Sequence, residues 1–146
     1  MFIGFTGTRK GMTTEQKEAF KNVVLEIIRG DGIQQFHHGD CVGADAEAHE
    51  MIEELNNTLP ELKDKPIQTH IHPAVLADNK NRAFKLGHKM YAPKDPLKRN
   101  RDIVDAASML IAIPKETTEV LRSGTWTTVR YAKKRGCSVL IIPPIS

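Results

Sequence analysis

Five short runs rich in apolar or β-branched residues recur along this chain, and stretches with helical spacing separate them. That alternation limits what the chain can fold into more than any other feature. Strand and helix in repeated succession imply right-handed βαβ crossovers and a parallel sheet with helices on its faces. The runs are 1–7 (MFIGFTG), 33–39 (IQQFHHG), 66–73 (PIQTHIHP), 108–114 (SMLIAIP) and 137–144 (CSVLIIPP). The first, fourth and fifth are the most apolar, which predicts that they form the covered centre of the sheet.

The intervening stretches carry helix signals. Thr13 or Thr14 caps the first helix, Phe20, Val23, Val24, Ile27 and Ile28 recur at helical spacing, and Gly30 and Gly32 end it. Ala44, Ala48, Met51, Ile52 and Leu55 give the second an apolar face, and its small alanines predict close packing on the sheet. Residues 97–107 read as a short helix, and Ser123 and Gly124 open another that stops at Gly136. The segment 77–96 is the hardest to read; it is expected to be partly helical and to close in the turn-like APKDP. The expected fold is therefore α/β: a Rossmann-like three-layer α/β/α arrangement with a mainly parallel sheet of about five strands. The 146 residues suit one domain spanning 1–146.

Composition narrows the class. Two cysteines, Cys41 and Cys137, are too few for a disulfide framework. The first apolar run is too short for a secretory signal, and no run approaches a membrane span. A cytoplasmic protein with no membrane partner is expected. Net charge is only +3, from 21 basic and 18 acidic residues, but it is unevenly placed. Between Lys80 and Arg101 eight basic residues stand against the single acid Asp95, so the remainder is net negative. Such a stretch attracts phosphates, free or polymeric.

Three loops follow strands and open helices: Gly7-Thr8-Arg9-Lys10-Gly11, Gly39-Asp40-Cys41-Val42-Gly43-Ala44-Asp45, and Arg122-Ser123-Gly124-Thr125. In an open parallel sheet such loops gather at the carboxyl ends of the strands, where ligands bind. Helix starts offer unpaired N–H groups and partial positive charge, and glycine lets backbone approach a phosphate. The hydroxyls of Thr8, Ser123 and Thr125 add donors, and Arg9 adds charge. No loop has the P-loop pattern, and the first lacks the GxGxxG fingerprint.

The ordered set GFTGTRKG, HGDCVGADAEAH, RNRDIVDAASMLIAIP and RSGTWTTVRYAKKRG, followed by VLIIP, resembles the SLOG superfamily. That group includes the DNA-processing protein A family and the Lonely Guy phosphoribohydrolases. The likeness covers most of the chain outside about 56–96. It implies a Rossmann-like fold, binding of nucleotides or their derivatives, and often a homodimer. Gly39, Gly43, Ala44 and Asp45 match the family's glycine-rich loop, Arg99 and Asn100 its arginine-asparagine pair, and Ser123, Gly124 and Thr125 its last loop. Arg99 can pair with a phosphate or a ribose-linked oxygen in fork geometry, Asn100 can hold a loop or a ribose hydroxyl, and Asp45 can accept from a ribose hydroxyl or backbone N–H groups.

The phosphoribohydrolases place a glutamate where this chain has Thr128, and their last loop begins with proline and two glycines where Arg122, Ser123 and Gly124 stand here. A hydrolase built on this chain needs another carboxylate: Asp40, Asp45, Glu47 or Glu119. Asp45 and Arg99 are the catalytic candidates. Trp126 either stacks on a base or lies in the core or a dimer interface; Tyr91 is either a second stacking residue or, the favoured reading, an exposed aromatic without a partner. His70 and His72 flank Ile71 and point to one side, His37 and His38 to opposite sides; with no matching ligand spacing, neither a metal nor a cofactor is expected. The leading expectation is a protein that binds, and in one version hydrolyses at the N-glycosidic bond, a nucleoside monophosphate or related ligand. The alternatives are a single-stranded nucleic-acid binder using the Lys80–Arg101 stretch, and a non-catalytic nucleotide sensor.

Overall fold

The computed structural model describes residues 1–75 and 79–144. Strand β1 (Phe2–Gly7) leads into helix α1 (Thr14–Arg29), and β2 (Gln35–His38) into α2 (Ala44–Thr58). A short 3₁₀ turn at Pro60–Leu62 precedes β3 (Gln68–Ile71) and β4 (Lys89–Met90). Then come α3 (Pro96–Asp105), β5 (Met109–Ile113), α4 (Gly124–Lys134) and β6 (Ser138–Ile141). The order across the sheet is β4-β3-β2-β1-β5-β6, and every pairing is parallel. This is the Rossmann-like α/β/α architecture the alternation predicts. Among the described residues no helix is long and apolar enough to cross a membrane.

Alternation along the strands sorts the core into two layers. Ile3, Phe5, Phe36, Ile111 and Ile113 pack with Phe20 and Val24 of α1 and Ile52 of α2. Leu110 and Ala112, on the other face of β5, pack with Val104 of α3 and Trp126 and Val129 of α4. Phe5, Phe20 and Phe36 meet with ring centroids 5.4–6.1 Å apart, two of the pairs edge to face. Thr13 caps α1 in a full capping box with Gln16. The buried Gln16 amide then donates to the carbonyls of Pro114 (2.8 Å) and Ile142 (2.9 Å), tying the start of α1 to the ends of β5 and β6.

The sheet, expected to have about five strands, has six, and two finer expectations need correction. The sixth is β4, inside the segment expected to be partly helical; its two residues carry no alternation to detect, and no described residue from 79 to 95 is helical. Leu76, Ala77 and Asp78 lie outside the described residues. The last apolar run, β6, is an edge strand rather than a central one: among the described residues it pairs with β5 on one side alone. The interior positions are taken instead by β2 and β3, whose histidines made them look less covered than they are.

β1 and β5 are neighbours, yet β1 feeds a helix on one face and β5 a helix on the other. Their carboxyl ends therefore diverge and leave a crevice, the usual ligand position in an open α/β sheet.

Candidate functional site

That crevice is a cleft of about 560 Å³. Gly7, Thr8, Arg9 and Lys10 line it from the end of β1, Gly39 and Cys41 from the loop after β2, Asp45 from the first turn of α2, and Arg99 and Asn100 from α3. Lys115, Glu116, Val120 and Arg122–Thr125 close it from the β5–α4 side. Of the residues singled out in the sequence, Gly7, Thr8, Arg9, Gly39, Asp45, Arg99, Asn100, Ser123, Gly124 and Thr125 meet here. Asp40, Gly43 and Ala44 do not line it.

The three helix starts are not equivalent. The capping box of Thr13 and Gln16 closes α1. At α2 the Ala44 N–H donates to Thr8 O (2.9 Å) and the Ala46 N–H to Cys41 O (3.2 Å), so the chain's own carbonyls fill that start. Ala44 is fully buried against Gly7. Gly43 has φ +89, and a Cβ there would lie 2.4 Å from the Arg9 carbonyl oxygen. Gly43 and Ala44 thus serve close packing, outside the cleft lining.

Of these three starts, that of α4 opens into the cleft. The Ser123 side chain accepts from the Trp126 N–H (3.3 Å), and the Thr127 N–H turns back to Ser123 O (2.9 Å). The N–H groups of Gly124 and Thr125 bond to no described residue. They carry the positive end of the helix dipole. Arg9, Lys10, Lys115 and Arg122 line the same cleft, so its charge suits an anion.

Asp45 and Arg99 form the floor. The Asp45 carboxylate accepts from the N–H groups of Gly39 (3.1 Å) and Cys41 (3.2 Å). Burial raises its pKa to about 6, against the opposing pull of Arg99 and those two N–H groups. Arg99 is itself buried. Its Nη1 donates to Gly39 O and His72 O, and its Nε donates to Asn100 Oδ1 (2.7 Å). Most of the guanidinium fork is thus engaged by the chain's own oxygens. Nη2, 3.8 Å from the Cys41 sulfur, is what remains toward the cleft. Burial, reinforced by Asp45, raises the Cys41 pKa, so this thiol is not an activated nucleophile.

The other acids separate cleanly. Asp40 is buried at φ +57 and turns away from the cleft: its carboxylate accepts from Arg82 Nε (3.0 Å) and the Lys85 N–H (2.8 Å). Its charge is needed to hold the 82–85 turn, not a ligand. Glu47 accepts from the Met12 N–H (2.7 Å) and pairs with Lys17 (3.1 Å), and Glu119 pairs with Arg130 (2.8 Å). Thr128 is buried with its hydroxyl on Gly124 O (2.8 Å) and does not line the cleft.

No family model matches this chain, and no curated protein matches it.

Glu116 is the acid the sequence did not mark. It lines the cleft, and its Oε1 accepts from the Trp126 indole N–H (3.1 Å). No motif contains it; the signal available was a carboxylate in the loop straight after a central strand. Trp126 itself is buried in the second core layer, which leaves the base-stacking role unfilled. Tyr91 also has partners, contrary to expectation: it stacks on His72 at 4.0 Å and 9°, and its hydroxyl meets His70 Nδ1 (3.0 Å). His37 Nδ1 lies 2.8 Å from His72 Nε2. Burial chiefly, with neighbouring histidines, lowers His37 to about 3; burial likewise lowers His72 to about 4. Both are neutral at physiological pH. Among the described residues no group of three or more His, Cys, Asp or Glu is placed to hold a metal ion.

Proposed function

We propose that this chain binds a nucleotide-type ligand in the cleft, with a phosphate on the first turn of α4. The observation that carries the reading is the start of α4, where the N–H groups of Gly124 and Thr125 bond to no described residue and both residues line a cleft with Arg9, Lys10, Lys115 and Arg122. Backbone donors and a helix dipole hold an anion without side-chain rearrangement. Apolar Ile103, Val120 and Pro96 in the same lining give a base somewhere to lie. The SLOG resemblance supports the same ligand class, and we include membership of that superfamily, a cytoplasmic location and a homodimer in the proposal. Calorimetric titration with nucleoside monophosphates tests it: micromolar to millimolar binding, weakened at least tenfold by Arg122→Glu, is expected. Equal binding by wild type and variant, or none by either, overturns it.

Hydrolysis of the N-glycosidic bond is the second reading, favoured by Asp45. A buried carboxyl with a pKa near 6 is placed to exchange a proton close to neutral pH. Release of free base from a bound monophosphate, abolished by Asp45→Asn while binding persists, is expected; binding without release leaves a nucleotide sensor. The single-stranded nucleic-acid reading has less support, since Trp126 is buried and Tyr91 is stacked on His72.

A further inference from the structure

We propose that Glu116 reads the ribose, so that the cleft selects ribonucleotides over 2′-deoxyribonucleotides. This rests on the nucleotide reading above and adds a specificity residue to it.

The placement of Glu116 is costly for phosphate binding alone. It adds a second carboxylate, after Asp45 on the floor, to a cleft also lined by Arg9, Lys10, Arg99, Lys115 and Arg122. A carboxylate beside an anion site weakens anion binding by like-charge repulsion unless the ligand brings a donor to it. The side chain is also held in place. Trp126 sits in the first turn of α4, buried among Leu110, Ala112 and Val129, and its indole N–H is its one donor. That N–H fixes Oε1 of Glu116, while Oε2 bonds to no described residue. The result is an oriented acceptor in the same cleft as the proposed phosphate seat. An ionised carboxylate accepts and cannot donate, so it complements hydroxyl or amino hydrogens and not phosphate oxygens. In a nucleoside monophosphate the donors nearest the phosphate are the ribose hydroxyls, and the 2′-hydroxyl is the one a deoxyribonucleotide lacks. Asp45 is less suited, because it is buried on the cleft floor while Glu116 is only half-buried.

A hydrogen bond to a charged acceptor discriminates by about tenfold to a hundredfold. The test is calorimetric titration of the whole chain with the monophosphates of adenosine, guanosine, cytidine and uridine, each beside its 2′-deoxy counterpart. For the nucleotide that binds, wild type is expected to prefer the ribo form at least tenfold. Glu116→Ala should bring that ratio below about twofold and leave deoxyribonucleotide affinity unchanged or improved, since the repulsive charge is gone. Trp126→Phe keeps the ring in the core and frees the carboxylate, so it should lower the ratio while keeping Glu116. If the alanine variant fails to fold in a thermal melt, Glu116→Gln, which retains an acceptor for Trp126, decides with Trp126→Phe. Equal ribo and deoxyribo binding by wild type, or full selectivity in the Glu116 variants, overturns this proposal and leaves the nucleotide reading standing. No binding of any nucleotide overturns both.

Discussion

The loops at 39–45 and 122–125 look alike in sequence, each with glycine ahead of a helix, yet they serve opposite ends. At the first, Thr8 O and Cys41 O occupy the start of α2, and Gly43 is pressed against Arg9. At the second, Ser123 caps one turn and leaves two N–H groups that bond to no described residue. A glycine before a helix therefore signals a close approach without saying by what. In one loop the approaching group is the protein's own backbone; in the other it is left for a ligand.

The largest expected effect breaks the closed loop. Gly43→Ala forces a Cβ into the Arg9 carbonyl at φ +89 and should cost about 4 kcal/mol, roughly 12 °C in Tm. Gly124→Ala meets nothing within 4 Å, and its melt should stay within about 0.5 kcal/mol of wild type. Equal losses from the two changes would erase the contrast.

Asp40 comes next. Asp40→Ala leaves the Arg82 guanidinium and the Lys85 N–H without their acceptor and should cost about 3 kcal/mol in denaturant unfolding. Ligand affinity should hardly move, because Asp40 faces away from the cleft.

The third effect is pH dependence, and it belongs to the histidine-filled half of the sheet. His37 and His72 are depressed to about 3 and 4, so the unfolded chain takes up more protons than the folded one below pH 6.5. Their contribution is complete above 6.5 and is lost as pH falls toward 4. Asp45 opposes this: its pKa is raised to about 6, so its contribution is largest below about 4 and is lost as pH rises to 6. The histidines win, and unfolding free energy should drop by about 2 kcal/mol from pH 7 to 5. In His37→Gln the drop should shrink; an unchanged slope would clear the histidines of it.

The smallest effect sharpens the open loop. Ser123→Ala removes the cap on the Trp126 N–H and should cost about 1 kcal/mol of stability. Phosphate-bearing ligands should offset part of that loss, since an anion can satisfy the released donor.

These contrasts mark what a sequence can and cannot display. Strand–helix alternation, the capping box at Thr13 and the small alanines of α2 are local patterns, and the fold follows them. β4 escaped because two residues hold no period, and β2 and β3 were ranked too low because buried histidines that bond each other read as polar surface. In the cleft, the loop residues were visible but their division of labour was not. Thr8 closes α2 across a long stretch of chain, and Arg99 spends its donors on Gly39 and His72. Glu116 gained its place through Trp126, a partner ten residues away that no motif pairs with it.

The bond from Gln16 to the carbonyls of Pro114 and Ile142 has a consequence for synthesis. A ribosome releases α1 long before either acceptor exists. β1, at the centre of the finished sheet, likewise waits about a hundred residues for β5. The nascent chain can assemble β1, β2 and β3 early, but it then carries an unpaired apolar edge along β1 until β5 emerges. The residue just after β6 thus completes the seat of the first helix. Among growing chains, the half-built sheet is the form most exposed to wrong pairing and most in need of a chaperone.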